Sequence, residues 1–183
     1  MAPQGAYERF WLIEFPELVG AEAWIEAEMA PSYGRYGYYE YYLARGGLPE
    51  YCADWAKGVL PATPLPGDAH QVPRLDVDRG SVVAVLFERG EAGQVAGEKS
   101  VTDAYVEAMR TFCAEHGLMR LECFKLIAPR ADWHHVWLAE FATFDSAEEW
   151  VQAEKGPAHG CLSERSFVLT RKWAPEYFAS WVP

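Results

Sequence analysis

The 183-residue chain lacks the short motifs that announce a familiar chemistry. It contains no G-x-G-x-x-G and no G-x-x-x-x-G-K-[ST], so neither common nucleotide-phosphate loop is present. It has no H-E-x-x-H, no C-x-x-C and no EF-hand loop. The adjacent His134 and His135 would point to opposite faces of a strand, so no metal site is expected. No G-x-S-x-G marks a nucleophilic serine.

Positive charge is also scarce. There are 16 Lys and Arg against 27 Asp and Glu, a formal net charge of −11, and no basic stripe. Such a field repels nucleic-acid backbones and anionic membrane surfaces, so neither is an expected partner. No apolar run reaches 18 residues, and MAPQGAYERF is not a basic region leading into one. Neither a spanning helix nor a signal peptide is expected, which implies a cytoplasmic protein. The four cysteines, Cys52, Cys113, Cys123 and Cys161, are scattered and read as free thiols in a reducing compartment.

What the chain does have is apolar mass and repetition. Half the residues are hydrophobic and 15% are aromatic, with eight Trp and ten Tyr, enough to fill a core or to line a cavity. Shifted by 126 positions, residues 11–55 fall on 137–181 without a gap and match at 18 of 45 positions, among them Trp11/Trp137, Glu14/Glu140, Trp24/Trp150 and Glu28/Glu154. Chance gives roughly 3, so the segment is duplicated. Each copy reads as strand (8–15, 134–142), helix (19–30, 146–155), a Pro-x-x-Gly turn and a second strand (36–45, 164–173). Asp145, with Glu148 three residues on, is the expected start signal of the second helix.

Between the copies, PATPLPGDAHQVP marks residues 56–79 as a Pro-rich linker. Residues 81–128 form another strand–helix–strand unit: SVVAVLFE, a helix from the Ser100/Asp103 capping box to His116 with Gly117 as its stop, then MRLECFKLIA. The chain therefore holds three units, A (8–45), B (81–128) and C (134–173). Units B and C follow the ferredoxin-like order βαββαβ. The expected organisation is an α+β protein with an N-terminal βαβ repeat unit (1–55), the linker (56–79) and a ferredoxin-like βαββαβ domain (80–183).

In this order and patterning, units B and C resemble the dimeric α+β barrel superfamily of ferredoxin-like proteins, with unit A as an extra half. The resemblance implies a homodimer and a reaction in a barrel cavity between the sheet and the layer facing it. Members include cofactor-free monooxygenases, lactone isomerases, polyketide cyclases and haem enzymes. A haem would need an axial ligand, for which His159 or His134 would serve.

Period-2 alternation places Trp137, Ala139 and Phe141 on one face, and His134, Val136, Leu138 and Glu140 on the other. The wholly apolar set belongs under the helix, which leaves Glu140, and by the repeat Glu14, facing the interior or an interface. A carboxylate held among aromatics is harder to ionise, the condition for a general acid or base at neutral pH. The structural alternative is an ion pair with Arg45, Arg171 or Arg120, of which Arg120 is also a candidate for binding substrate. His134 and His159 are candidate bases, and Tyr33, at the turn position equivalent to His159, is a candidate for binding substrate at the mouth of the cavity. His116 reads as a helix-end cation, and His70 as an exposed linker residue. In RYGYYEYYLARGG, alternation sets Tyr39 and Tyr41 against Tyr38, Glu40 and Tyr42, so that Tyr38 and Tyr42 present phenols to a ligand or form an aromatic ladder.

The expected function is a cofactor-independent lyase, isomerase or cyclase acting on a small aromatic or polyketide-like substrate. His134 or His159 would be the base, Glu140 or Glu14 its partner, and Tyr38 or Tyr42 an oxyanion donor. The alternatives are a monooxygenase or haem enzyme of the same fold, and a non-catalytic binding or dimerisation module.

Overall fold

The structure, a computed structural model, describes residues 10–31, 40–46, 81–90, 103–127, 133–155 and 163–171. Its elements run α1 (Leu18–Met29), β1 (Ala44–Gly46), β2 (Val82–Gly90), α2 (Asp103–Glu115), β3 (Leu118–Leu126), β4 (His135–Phe141), α3 (Phe144–Lys155) and β5 (Ser163–Arg171). The strands form one antiparallel sheet in the order β1-β3-β4-β2-β5. Strands β5-β2-β4-β3, crossed by α2 and α3, are the ferredoxin-like arrangement, and the fold class is α+β. No helix among the described residues is long and apolar enough to cross a membrane.

β2 is apolar on both faces (Val82, Ala84 and Leu86 against Val83, Val85 and Phe87), as its place between β4 and β5 requires. Asp103 lies in the first turn of α2, and Gly117 beyond its end adopts φ 64°, a left-handed conformation that costs glycine nothing. The start of α3 departs from expectation. Its cap is Thr143, whose Oγ1 accepts the Ser146 N–H at 3.1 Å, while Asp145 sits inside the first turn. Thr143 is where the chain leaves β4, so its hydroxyl reaches the orphan N–H first.

Two apolar layers sandwich the sheet. On the helix side, Val82, Ala84, Leu86, Leu121, Ala139 and Phe141 pack with Met109 and Cys113 of α2 and Ala147, Trp150 and Val151 of α3. Each fully buried large side chain contributes roughly 1.5–3 kcal/mol. On the other side, open only in the sense that neither α2 nor α3 packs on it, the buried Val85, Leu126, Val136 and Leu138 gather Val83, Phe87, Phe124 and Val168, and Leu12 and Tyr42 of the N-terminal unit lie on this layer. Unit A thus covers part of its own chain's sheet. β1 also pairs with β3 (Ala44↔Leu126, Gly46↔Phe124), so the N-terminal unit and the βαββαβ domain share one sheet. The linker 56–79 lies outside the described residues.

Among the described residues, unit A keeps the aromatic packing of unit C but not the length of its strands. Trp24 meets Phe15 at 6.2 Å and 43° and Tyr41 at 6.1 Å and 80°. Trp150 meets Phe141 at 6.0 Å and 42° and Phe167 at 6.1 Å and 81°. Yet the strand expected over 8–15 is absent from the described residues 10–15, and of the strand expected over 36–45 the described residues are 40–45, among which the strand Ala44–Gly46 begins only at Ala44. A strand exists through its ladder. β4 has β3 and β2 beside it, whereas no described strand flanks residues 11–15.

Candidate functional site

Register and alternation arrange the open face in rows. The first is Arg120–Glu140–Val83–Thr170, the second Glu122–Leu138–Val85–Val168, and the third Phe124–Val136–Phe87–Ser166. One end is therefore charged and the middle is an apolar floor. The far end is aromatic, where the Phe87 ring meets Tyr42 at 5.6 Å, Trp133 at 5.9 Å and Phe10 at 6.3 Å. Rows two residues apart lie about 7 Å from each other, so the floor is the length of a small aromatic molecule.

At the charged end Glu140 is 4% exposed, and its Oε1 accepts the hydroxyl of the buried Ser81 at 2.6 Å. Arg120 stands directly across the ladder from Glu140. Its Nη2 donates to Glu122 Oε1 at 2.7 Å. The other oxygen of Glu122, Oε2, is buried and has no hydrogen-bond partner among the described residues. Glu122, two residues along the strand from Arg120, and Glu140, across the ladder from it, thus occupy diagonal cross-strand positions, roughly 7–8 Å apart. A bulge sets this up: the β3 register shifts between Leu118 and Arg120. Under strict alternation these two residues would share a face. The shift lets Leu118 join the helix-side core while Arg120 meets Glu140.

A second charged cluster lies on the helix side at the opposite end of the sheet. Lys125, His135, Glu88 and Arg165 form one row across β3, β4, β2 and β5. Arg165 reaches Glu88 Oε1 at 3.3 Å, donates to the Glu154 backbone carbonyl at 3.2 Å and pairs with the Glu154 carboxylate. The Trp137 indole N–H donates to Glu88 Oε2 at 3.0 Å. Burial pushes the Glu154 carboxyl up to about 7, with Arg165 opposing and Glu88 adding to the rise. Burial also lowers His135; Glu88 opposes this, and Lys125 and His134 reinforce it. Sequence reasoning missed this cluster, although its signal was present. Glu154 occupies the fourth place of the stripe 147, 150, 151, 154 that α3 buries. The apolar row beside it, Trp137–Leu86–Phe167, is packed into the helix-side core, and the geometry of the cluster is that of a tie between the last turn of α3 and the sheet.

The predicted site residues scatter. Arg120 and Glu140 meet at the charged end, and Tyr42 joins the aromatic end with its hydroxyl on Glu40 Oε1 at 2.6 Å. Tyr41, its neighbour, turns instead to Trp24 under α1. His134 precedes β4 by one residue, with its N–H on the Glu88 carbonyl at 2.8 Å. Six residues of extended chain, about 20 Å, separate it from Glu140, so the two do not form an acid–base pair. Glu14 is exposed, unlike Glu140 at the matching position, because no described strand flanks residues 11–15 as β3 and β2 flank β4. His159, Tyr33 and Tyr38 lie outside the described residues, as do His70, Cys52 and Cys161. Cys113 and Cys123 are free and buried. His116 stacks on Phe112 at 4.0 Å, and its Nδ1 is 2.9 Å from Glu149 Oε2, joining α2 to α3. Among the described residues no group of three or more His, Cys, Asp or Glu is arranged to hold a metal ion.

No family model and no curated protein matches the chain. Among solved structures it is similar to a dimeric protein of unknown function and ferredoxin-like fold from Bacteroides fragilis, at 18% identity and a TM-score of 0.35, over 52% of this chain and 100% of that one.

Proposed function

We propose that the protein is a cofactor-independent acid–base enzyme of the lyase, isomerase or cyclase type, working as a cytoplasmic homodimer on a small aromatic or otherwise apolar substrate held on the open face of the sheet. One observation carries this reading: an apolar floor that ends in Arg120 flanked by Glu122 and Glu140. The apolar floor and the rings of Phe87 and Tyr42 suit the body of the substrate. Glu122, with one oxygen on Arg120 and the other without a partner among the described residues, is the general base. Arg120 steadies the oxyanion that develops when a proton leaves carbon next to a carbonyl. Glu140, held by Ser81, stands across the ladder from Arg120, and its role in this reading is to add negative charge that positions the guanidinium.

The test is a turnover screen of aromatic and polyketide-like carbonyl compounds with the wild type, Glu122→Gln and Arg120→Met. Loss of about 10²–10⁴-fold in kcat/KM with an unchanged circular dichroism spectrum supports these roles. Unchanged turnover in both variants overturns them. The deep burial of Glu140 favours one other reading, a binding module in which this carboxylate is structural. Under that reading, ligands bind to the wild type and none is turned over.

A further inference from the structure

We infer that two copies of this chain complete each other through unit A, residues 11–15 of each entering a strand-wide slot in the other. The inference stands whether or not the open face is catalytic, and shares with that reading only the dimer.

Within the chain, units B and C show how two half-modules complete each other. β2, the first strand of B, lies between β4 and β5 of unit C and pairs antiparallel with both. β4, the first strand of C, lies in return between β2 and β3 of unit B. Each half lends its first strand to the middle of the other. The chain holds three halves, so one is left over.

That half is unit A, and its packing says what it lacks. Phe141 and Phe167 flank Trp150 from β4 and β5, strands held apart by the whole width of β2. Phe15 and Tyr41 flank Trp24 with nearly the same distances and angles, so the segments 11–15 and 40–46 are spaced for a strand between them. No described strand occupies that position. Trp11 and Ile13 are 45% and 38% exposed, whereas Ala139, the counterpart of Ile13, is 0% exposed. α1 buries no residue, although its stripe Ala21, Trp24, Ile25 and Glu28 repeats the stripe Ala147, Trp150, Val151 and Glu154 that α3 buries.

The occupant that fits is the same segment of a second copy. Paired antiparallel about a two-fold axis at Ile13, the WLIEF segment sets Trp11 opposite the partner's Phe15, and Leu12 opposite the partner's Glu14. Charge allows this, because no carboxylate faces a carboxylate across the ladder. Glu17, Glu22 and Glu26 stay exposed at the rim, where salt screens their mutual repulsion. The arrangement is isologous and closes on itself, as a two-fold interface must.

The experiment is sedimentation equilibrium of the full chain, with Ile13→Lys and Ile13→Cys. The wild type is expected to be a dimer, and Ile13→Lys to raise its dissociation constant at least about 30-fold. Ile13→Cys is expected to give, on mild oxidation, a covalent dimer that the wild type does not form, since residues paired on the axis lie within disulfide reach. The cysteine variant decides the matter if Ile13→Lys fails to fold. A monomeric wild type overturns the inference. So does an Ile13→Cys protein that cross-links no more than the wild type.

Discussion

Trp24 and Trp150, 126 positions apart, sit in matching aromatic brackets, yet one belongs to a half-module that is finished and the other to one that is not. Trp150 is buried against the sheet, and Trp24 is half-buried. Replacing Trp150 by Ala should cost about 3–5 kcal/mol. The same change at Trp24 should cost about half that in the monomer, where fewer contacts are lost. Urea denaturation of the two variants at low protein concentration checks the difference; equal losses would contradict the assignment of unit A as incomplete.

Glu154 gives the protein an unusual pH dependence. Its carboxyl ionises near 4.5 in the unfolded chain but only near 7 in the fold. The folded state therefore holds the extra proton between these values. Its contribution is fully present below about pH 4.5 and is lost as pH rises through 7, on the order of 3 kcal/mol. His135 works in the other direction: lowered by burial, it contributes above its ordinary value of 6.5 and loses that contribution as pH falls through its folded value. Chemical denaturation from pH 5 to 8.5 should show stability falling on the alkaline side, and Glu154→Gln should flatten that fall.

Arg165 is the hub of this cluster. Arg165→Met leaves Glu154 and Glu88 without their shared guanidinium in a mostly buried place, and should cost about 3–5 kcal/mol at pH 8. At pH 5.5, where Glu154 is protonated, the cost should be smaller. Arg89 also pairs with a glutamate, Glu164, but on the surface, and Arg89→Met should cost less than about 1 kcal/mol. Thermal melts of both variants at the two pH values measure the contrast.

Much of the frame was legible in the sequence because it rests on period. The alternation in 134–142 placed Glu140 and Trp137 on opposite faces, and so the structure has them. Sharing a face is not proximity, however, and the pairing of His134 with Glu140 failed on the length of the strand between them. Arg120 was expected as a partner of Glu140, but the bulge at Leu118–Arg120 that delivers it has no sequence signature. Glu154 was visible as a glutamate on an apolar stripe; its partners Arg165 and Glu88 come from strands 11 and 66 positions away and are brought to it only by the fold. The strand expected at 8–15 is not formed in the described residues 10–15, because an apolar pattern makes a strand only beside a ladder partner, and no described strand flanks this segment.

The most direct measurement of the central claim is a map of backbone amide shifts in the labelled protein during titration with 1-hydroxy-2-naphthoate, an aromatic acid that offers a ring to the floor and a carboxylate to Arg120. The account predicts shifts concentrated at Arg120, Glu122, Leu138, Val85 and Phe87, and much weaker binding in Arg120→Met. Shifts confined to the helix side, or none at millimolar ligand, would contradict it.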